Sequence, residues 1–240
     1  MNIALIGYGK MGHAIERIAA ERGHNIVLRI TTANKQDMTP ANLRQADVAI
    51  EFTNPGAALA NVRQCLEAGV STVCGTTGWN EGFPEAEAKA IETGTAFLQA
   101  SNFSIGVNIF FEVNKLLASL MNNQPEYSVS VEETHHTQKK DAPSGTAITL
   151  AEQIMYYLKR KKQWVLGAIK DDSSLPISAH RIENVLGTHK VTYSSTIDTI
   201  EITHTAHSRD GFAKGAVLAA EFISGKHGVF SMKDVLKINS

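Results

Sequence analysis

Two cysteines in 240 residues, Cys65 and Cys74, are too few for a disulfide framework, and neither has a second thiol at metal-ligand spacing. That scarcity fits a reducing compartment, so a cytoplasmic location is expected and no metal site is read from the sequence. No charge of one sign dominates: 23 Lys and Arg stand against 24 Asp and Glu, for a net charge of -1. The balance sets up no broad field for nucleic acid or an anionic membrane, so neither is an expected partner. The longest basic run, Lys159-Arg160-Lys161-Lys162, reads as the cationic end of a helix. Long apolar runs are missing too. No window approaches the roughly 18 apolar residues of a bilayer span, and Asn2 to Gly7 is too short and too soon broken by glycine for a signal peptide.

With 43% hydrophobic and 20% charged residues, the chain has enough apolar side chains for a sizeable core. Apolar runs near 2–7, 25–30, 48–52, 70–74 and 96–99 read as strands, alternating with helical spacing after Gly12 and near 57–68 and 83–93. Strand and helix in alternation predict a doubly wound parallel sheet with helices on both faces. The pattern changes after residue 103. A helical run over 106–121 leads to a strand through Tyr127–Val131, and further strand-like pieces follow near 163–170, 178–184, 188–195 and 197–205. That predicts a smaller α+β sheet domain over 106–208. A last helix over 211–224 returns to the first domain, made of 1–105 and 209–240.

Gly7-Tyr8-Gly9-Lys10-Met11-Gly12 follows the first strand and opens a helix, the context in which this glycine spacing binds a dinucleotide. The first glycine allows the tight turn, the second admits a pyrophosphate, and the third lets helix and sheet approach. NAD enzymes place an acid near the end of the second strand. Here Leu28 to Lys35 holds none before Asp37, and Arg29 and Lys35 suit a 2′-phosphate, which favours NADPH and leaves NADH open. Phe52-Thr53, Gly75-Thr76-Thr77-Gly78 and Ala100-Ser101-Asn102-Phe103 follow later strands and are expected to face the cofactor.

The densest chemistry lies between Glu132 and Ala147. His135, His136 and Lys139 offer two imidazoles and an ammonium, suited to binding an anion and handing it a proton. Pro143-Ser144-Gly145-Thr146 then punctuates the chain before an apolar-periodic helix. Free N–H groups at Ser144, Gly145 and Thr146 would form a seat for a carboxylate. On the residues alone, a dehydrogenase of amino acids on the same scaffold and an NAD(P)H-binding protein without catalysis stay open.

These blocks, together with Glu51-Phe52-Thr53, Asn102-Phe103-Ser104-Ile105-Gly106-Val107-Asn108, Lys140-Asp141-Ala142-Pro143-Ser144-Gly145-Thr146-Ala147 and Ser208-Arg209-X-X-Phe212-Ala213-X-Gly215-Ala216, closely resemble the 4-hydroxy-tetrahydrodipicolinate reductase (dihydrodipicolinate reductase) family almost end to end. The resemblance implies a Rossmann-like first domain and a second domain for substrate and oligomerisation. It also implies hydride transfer from NADPH or NADH to a small cyclic dicarboxylate, with loss of its 4-hydroxyl as water. Family roles fall on His135 as general acid or base, Lys139 as proton donor, and His136, Gly145, Thr146 and Arg209 as substrate ligands. The cofactor contacts implied are Gly7 to Gly12, Phe52, Gly75, Thr76, Thr77 and Ala100 to Phe103. A homotetramer is the implied assembly. The first glycine loop has the shorter of the family's forms, and the stretch between Lys162 and Arg181 is abbreviated.

Overall fold

The computed structural model describes residues 1–168, 171–208 and 210–238. The chain divides into two compact units, Met1–Ile105 with Asp210–Ser240, and Gly106–Arg209. Among the described residues no helix is long and apolar enough to cross a membrane.

The first unit begins β1 (Asn2–Ile6), α1 (Lys10–Glu21), β2 (Asn25–Ile30), α2 (Pro40–Leu43), β3 (Val48–Glu51), α3 (Pro55–Glu67), β4 (Ser71–Cys74), α4 (Phe83–Thr93) and β5 (Ala96–Gln99). The second unit holds α5 (Ile105–Met121), β6 (Ser128–His135), α6 (Gly145–Tyr157), β7 (Gln163–Leu166), β8 (Ser174–Arg181), β9 (Thr188–Ser194) and β10 (Thr199–Thr205). The chain then returns to the first unit as α7 (Asp210–Ile223), β11 (Gly228–Phe230) and α8 (Met232–Val235).

Six strands of the first unit form one sheet in the order β11-β5-β4-β3-β1-β2, parallel throughout. Alternation along β1 shows why both faces must be covered: Ile3 and Leu5 enter one apolar cluster with α1 and α7, whereas Ala4 and Ile6 enter another on the opposite face. From β1 the chain runs outward to β2 and then back past β1 to β3. The loops after β1 and β3 therefore flank the point where strand order reverses, the usual crevice for a ligand in such sheets. Strand β11 had no sequence signal, since three residues opening on a glycine are too few for periodicity.

The second unit carries a mixed five-stranded sheet, β10-β9-β6-β8-β7, in which β6 runs parallel to β8 and antiparallel to β9. Its core joins the sheet's inward face, including Val129, Val131, Ile177, Val191 and Tyr193, to α6 through Leu150, Ala151 and Ile154. Two boundaries differ from the sequence pattern. Strand β6 continues beyond Val131 through Glu132, Glu133 and Thr134 to His135, so these polar residues belong to the sheet. Strand β8 starts at Ser174 and includes Pro176, tolerated because pairing with β6 begins only at Ile177. Strand β7 ends at Leu166, before the positive-φ turn at Gly167, while Ile169 and Lys170 lie outside the described residues.

Candidate active site

In the first unit the glycine loop divides its labour as its spacing predicts. Gly7 has φ +96, and a Cβ there would sit 2.0 Å from the Phe52 carbonyl oxygen. A Cβ on Gly12 would lie 2.6 Å from the Gly7 oxygen, so the first turn of α1 packs against the loop itself. Gly9 has nothing within 4 Å of the corresponding position. The helix start is thus open to an incoming pyrophosphate where Gly9 stands, and this shape fits a dinucleotide.

Two adjoining clefts follow the sheet's carboxyl edge. One, of about 420 Å³, is lined by residues including Gly7, Tyr8, Gly9, Thr31, Thr32, Lys35 and Phe52. The other, of about 450 Å³, is lined by Gly9, Lys10, Met11, Gly12, Phe52, Thr53, Pro55, Gly75, Thr76 and Thr77. Gly75 is required by Phe52, whose ring atoms would lie 2.1 Å from a Cβ there. The Thr76 hydroxyl accepts the Thr53 amide at 2.8 Å, and its carbonyl accepts the Trp79 indole N–H at 2.7 Å, which ties the two loops together. Beneath them the fully buried Glu51 carboxylate accepts from the Thr53 hydroxyl, from Asn61 at 3.2 Å and from the Cys74 thiol at 3.1 Å. Of these supports, Asn61 and Trp79 were not singled out from sequence.

Ala100 to Phe103 do not line either cleft. Phe103 is buried in the core, with its ring 5.7 Å from that of Phe52 and its carbonyl against Gly215. Of the two cations proposed for a 2′-phosphate, Lys35 lines the first cleft. Arg29 is engaged elsewhere: its guanidinium pairs with Glu16, which also accepts the Tyr8 hydroxyl, and it lies 5.8 Å over the Tyr8 ring.

In the second unit the sheet itself builds the reactive cluster. Inward positions on β6 are Val129, Val131, Glu133 and His135, so the same alternation that makes the core places a carboxylate and an imidazole at its carboxyl end. Register supplies their neighbours: Glu133 lies opposite His189 on β9, and His135 opposite Arg181 on β8. Glu133 is fully buried, and His135 and His189 are nearly so. Arg181 Nη2 approaches Glu133 Oε1 at 3.2 Å, and the Ser144 amide donates to Oε2 at 3.0 Å. Oε2 is also 3.6 Å from His135 Nδ1 and 3.7 Å from His189 Nε2.

Glu133, His135 and His189 offer ligand atoms within 4.8 Å of one another, the spacing of a small metal site. The Arg181 guanidinium and the Ser144 amide each approach one carboxylate oxygen, leaving further lone pairs of Glu133 toward the two imidazoles. Burial holds the His135 ring below the usual imidazole range; Glu133 opposes that shift, while Lys139 and Arg181 reinforce it. Burial, with His135, His204 and Lys139 nearby, pushes His189 down to about 3, so it is a neutral group.

Lys139 pairs with Asp141 at 2.8 Å. Arg181 holds that loop from below, donating to the Lys139 carbonyl at 3.2 Å and the Asp141 carbonyl at 2.5 Å. Helix α6 starts at Gly145 behind Ser144, whose hydroxyl accepts the Ala147 amide at 3.2 Å. One expectation needs correction here. The Ser144 N–H is not free for a ligand, because Glu133 takes it, so the anion seat reduces to Gly145 and Thr146. No acceptor meets those two amides among the described residues, and a Cβ on Gly145 would face open space. His136 follows the end of β6, half-buried, with its Nδ1 unpartnered. Arg209 lies outside the described residues. Sequence reading passed over Glu133, Asp141, Arg181 and His189 as site residues. The alternation of β6 could have flagged Glu133, but the other strands carried no comparable signal.

Comparison with known proteins covers both units. Residues 1–103 match the family model described as dihydrodipicolinate reductase, N-terminus, and residues 106–236 match that for its C-terminus. The chain is 50% identical over 238 residues to a 4-hydroxy-tetrahydrodipicolinate reductase of Christiangramia forsetii, covering 98% of each. It is 36% identical over 233 residues to the protein of that name from Neisseria gonorrhoeae, covering 94% of this chain and 85% of the relative. Among solved structures, a dipicolinate-bound dihydrodipicolinate reductase from Paenisporosarcina sp. TG-14 superposes with a TM-score of 0.79 at 20% identity, covering 100% of this chain and 99% of that one. An amine dehydrogenase from Mycobacterium smegmatis gives 0.65 at 11% identity over 97% and 95% of the two chains, which marks a shared fold. With both halves matched and a relative half identical along almost its full length, the chain belongs to the dihydrodipicolinate reductase family.

Proposed function

We propose that the protein is a 4-hydroxy-tetrahydrodipicolinate reductase, reducing its cyclic dicarboxylate substrate to tetrahydrodipicolinate on the diaminopimelate route to lysine. The observation that carries this reading is the pairing, at one sheet end, of a buried imidazole with an open helix start suited to a carboxylate. In this reading 1–105 with 209–240 hold the dinucleotide, and 106–208 hold the substrate and the contacts of a homotetramer. The reduced nicotinamide, when bound, supplies a hydride. Lys35 in the cleft, with no carboxylate among the residues lining it, favours NADPH, and NADH remains a usable donor. The glycine loop, Phe52 and Gly75 to Thr77 are its contacts along the clefts, and Ala100 to Phe103 are assigned to it by the family resemblance, outside those linings.

Each turnover consumes one hydride and one proton and releases one water. Gly145 and Thr146 amides, His136 and Arg209 hold the substrate's carboxylates. His135 exchanges a proton with the substrate through a ring kept neutral by burial. Lys139 donates a proton after its ammonium leaves Asp141. The enzyme works in the cytoplasm with no metal.

The test follows nicotinamide absorbance as purified protein meets substrate freshly made by the preceding synthase, with NADPH and NADH in parallel. Oxidation is expected with both, with the higher kcat/KM for NADPH. His135→Ala and Lys139→Ala should each lower kcat by about 10²- to 10⁴-fold while leaving cofactor affinity intact. Folded protein that binds cofactor but oxidises neither overturns the reading.

A further inference from the structure

We infer that Glu133 is the positioning residue of this site, one buried carboxylate that orients His135 from its Nδ1 side and, through Arg181 and Ser144, fixes the Lys139 loop and the start of α6 as a single unit. The inference rests on the proposed roles of His135 and Lys139.

Four groups converge on this carboxylate: the Ser144 amide, Arg181, His135 and His189. The Ser144 amide at 3.0 Å and Arg181 at 3.2 Å satisfy it as a charge, which a fully buried Glu133 requires. His135 Nδ1 faces Oε2 at 3.6 Å and is a buried nitrogen with no hydrogen-bond partner in this geometry. That distance is too long for a hydrogen bond. Catalytic contacts commonly tighten from such values once substrate binds. A carboxylate on the Nδ1 side selects the tautomer with Nδ1 protonated, leaving the Nε2 lone pair to exchange protons. On the opposite edge of the ring Gly187 packs close beside Nε2, where a Cβ would lie 3.2 Å from that nitrogen and 3.3 Å from Cδ2.

Arg181 extends the same contact to the second proton carrier, because it binds Glu133 and the carbonyls of Lys139 and Asp141 together. The charged and titratable groups facing His135 are Glu133 from its own strand, His189 from β9, Arg181 from β8, and Lys139 and Asp141 from the loop. His189 stays neutral and Asp141 is engaged by Lys139, so Glu133 is the buried anion left to balance a proton on His135.

A purely structural Glu–Arg pair would support folding without governing proton transfer, and pH profiles separate the two. Glu133→Gln keeps the shape and removes the charge. It should lower kcat about 10- to 100-fold, move the His135 limb of the kcat profile down by about one pH unit, and leave cofactor KM within about twofold. Glu133→Asp should recover part of kcat. Arg181→Gln removes a cation and should move the same limb upward while also lowering kcat. In the wild-type protein, ¹⁵N spectra of the His135 ring should show Nδ1 protonated in the neutral form. A Glu133→Gln enzyme with wild-type kcat and pH midpoint overturns the inference, as does an Nε2-protonated neutral ring. If Glu133→Gln does not fold, Arg181→Gln and the ring spectra decide. The spectra also need no turnover, so an absence of reductase activity would count against the proposed reaction and leave this inference separately tested.

Discussion

Acid should unfold the second unit through His189. The ring is 5% exposed, and burial pushes it down to about 3 from an unperturbed 6.5. A group depressed in the folded state stabilises above its unfolded value and loses that contribution as pH falls through the window between the two. Here the unfolded chain takes up a proton below about pH 6.5 and the native chain does not until about pH 3. Lowering pH from 7 to 5 therefore costs the native state about 2 kcal/mol from this one group. His135 is depressed by burial as well and adds to the loss in the same direction. The assay is urea unfolding followed by Trp164 fluorescence in a Trp79→Phe background, which leaves a tryptophan in the second unit alone. His189→Gln cannot titrate, so its stability should fall by about 2 kcal/mol less than the parent's over that range. Equal losses in both proteins would show that His189 does not stay neutral in the fold, and the burial argument would fail.

Other outcomes follow from single contacts. Gly187→Ala places a methyl 3.2 Å from His135 Nε2 and 3.3 Å from Cδ2, and should lower kcat about tenfold with cofactor affinity unchanged. Gly7→Ala forces a side chain onto φ +96 and against the Phe52 carbonyl; the backbone term alone costs about 1–3 kcal/mol, and dinucleotide affinity measured by nicotinamide fluorescence should collapse. Cys65 and Cys74 are both fully buried, and burial pushes the Cys65 thiol up to about 12 and raises Cys74 as well. Neither should react with an aromatic disulfide reagent in the native protein, while both should react in denaturant.

The first unit was legible because its information is local. Gly7 makes the tight turn and Gly12 the close approach that their spacing announces, Gly9 faces open space, and both faces of β1 are apolar because both are covered. His135, His136, Lys139, Gly145 and Thr146 could be singled out for the same reason, lying together in one short segment. What escaped was the buried half of that cluster. Arg181 and His189 are 46 and 54 residues beyond His135, and only the register of β8 and β9 against β6 brings them to it. Glu133 was in view but looked like part of a polar loop, because a strand normally ends where charge begins. Here the sheet carries charge inward, and Arg181 makes that affordable. The extent of β8 was hidden by Pro176, whose missing donor is harmless one residue before pairing with β6 begins.

The return of α7 to the first unit has a consequence for synthesis on the ribosome. Residues Ala213, Ala216, Val217, Ala220 and Ile223 close the cluster that also holds Ile3, Leu5, Val48, Ile50 and Val73. The strands that need this cover are made first and the helix that supplies it last, after the whole of Gly106–Arg209 has been added. At about 5–20 residues per second, that face of the sheet waits on the order of 10 s for its lid. The second unit is continuous in sequence and is complete before the first. Nascent chains arrested before Asp210 should therefore give protease-resistant second units attached to first units that are still cleaved and still bound by chaperones.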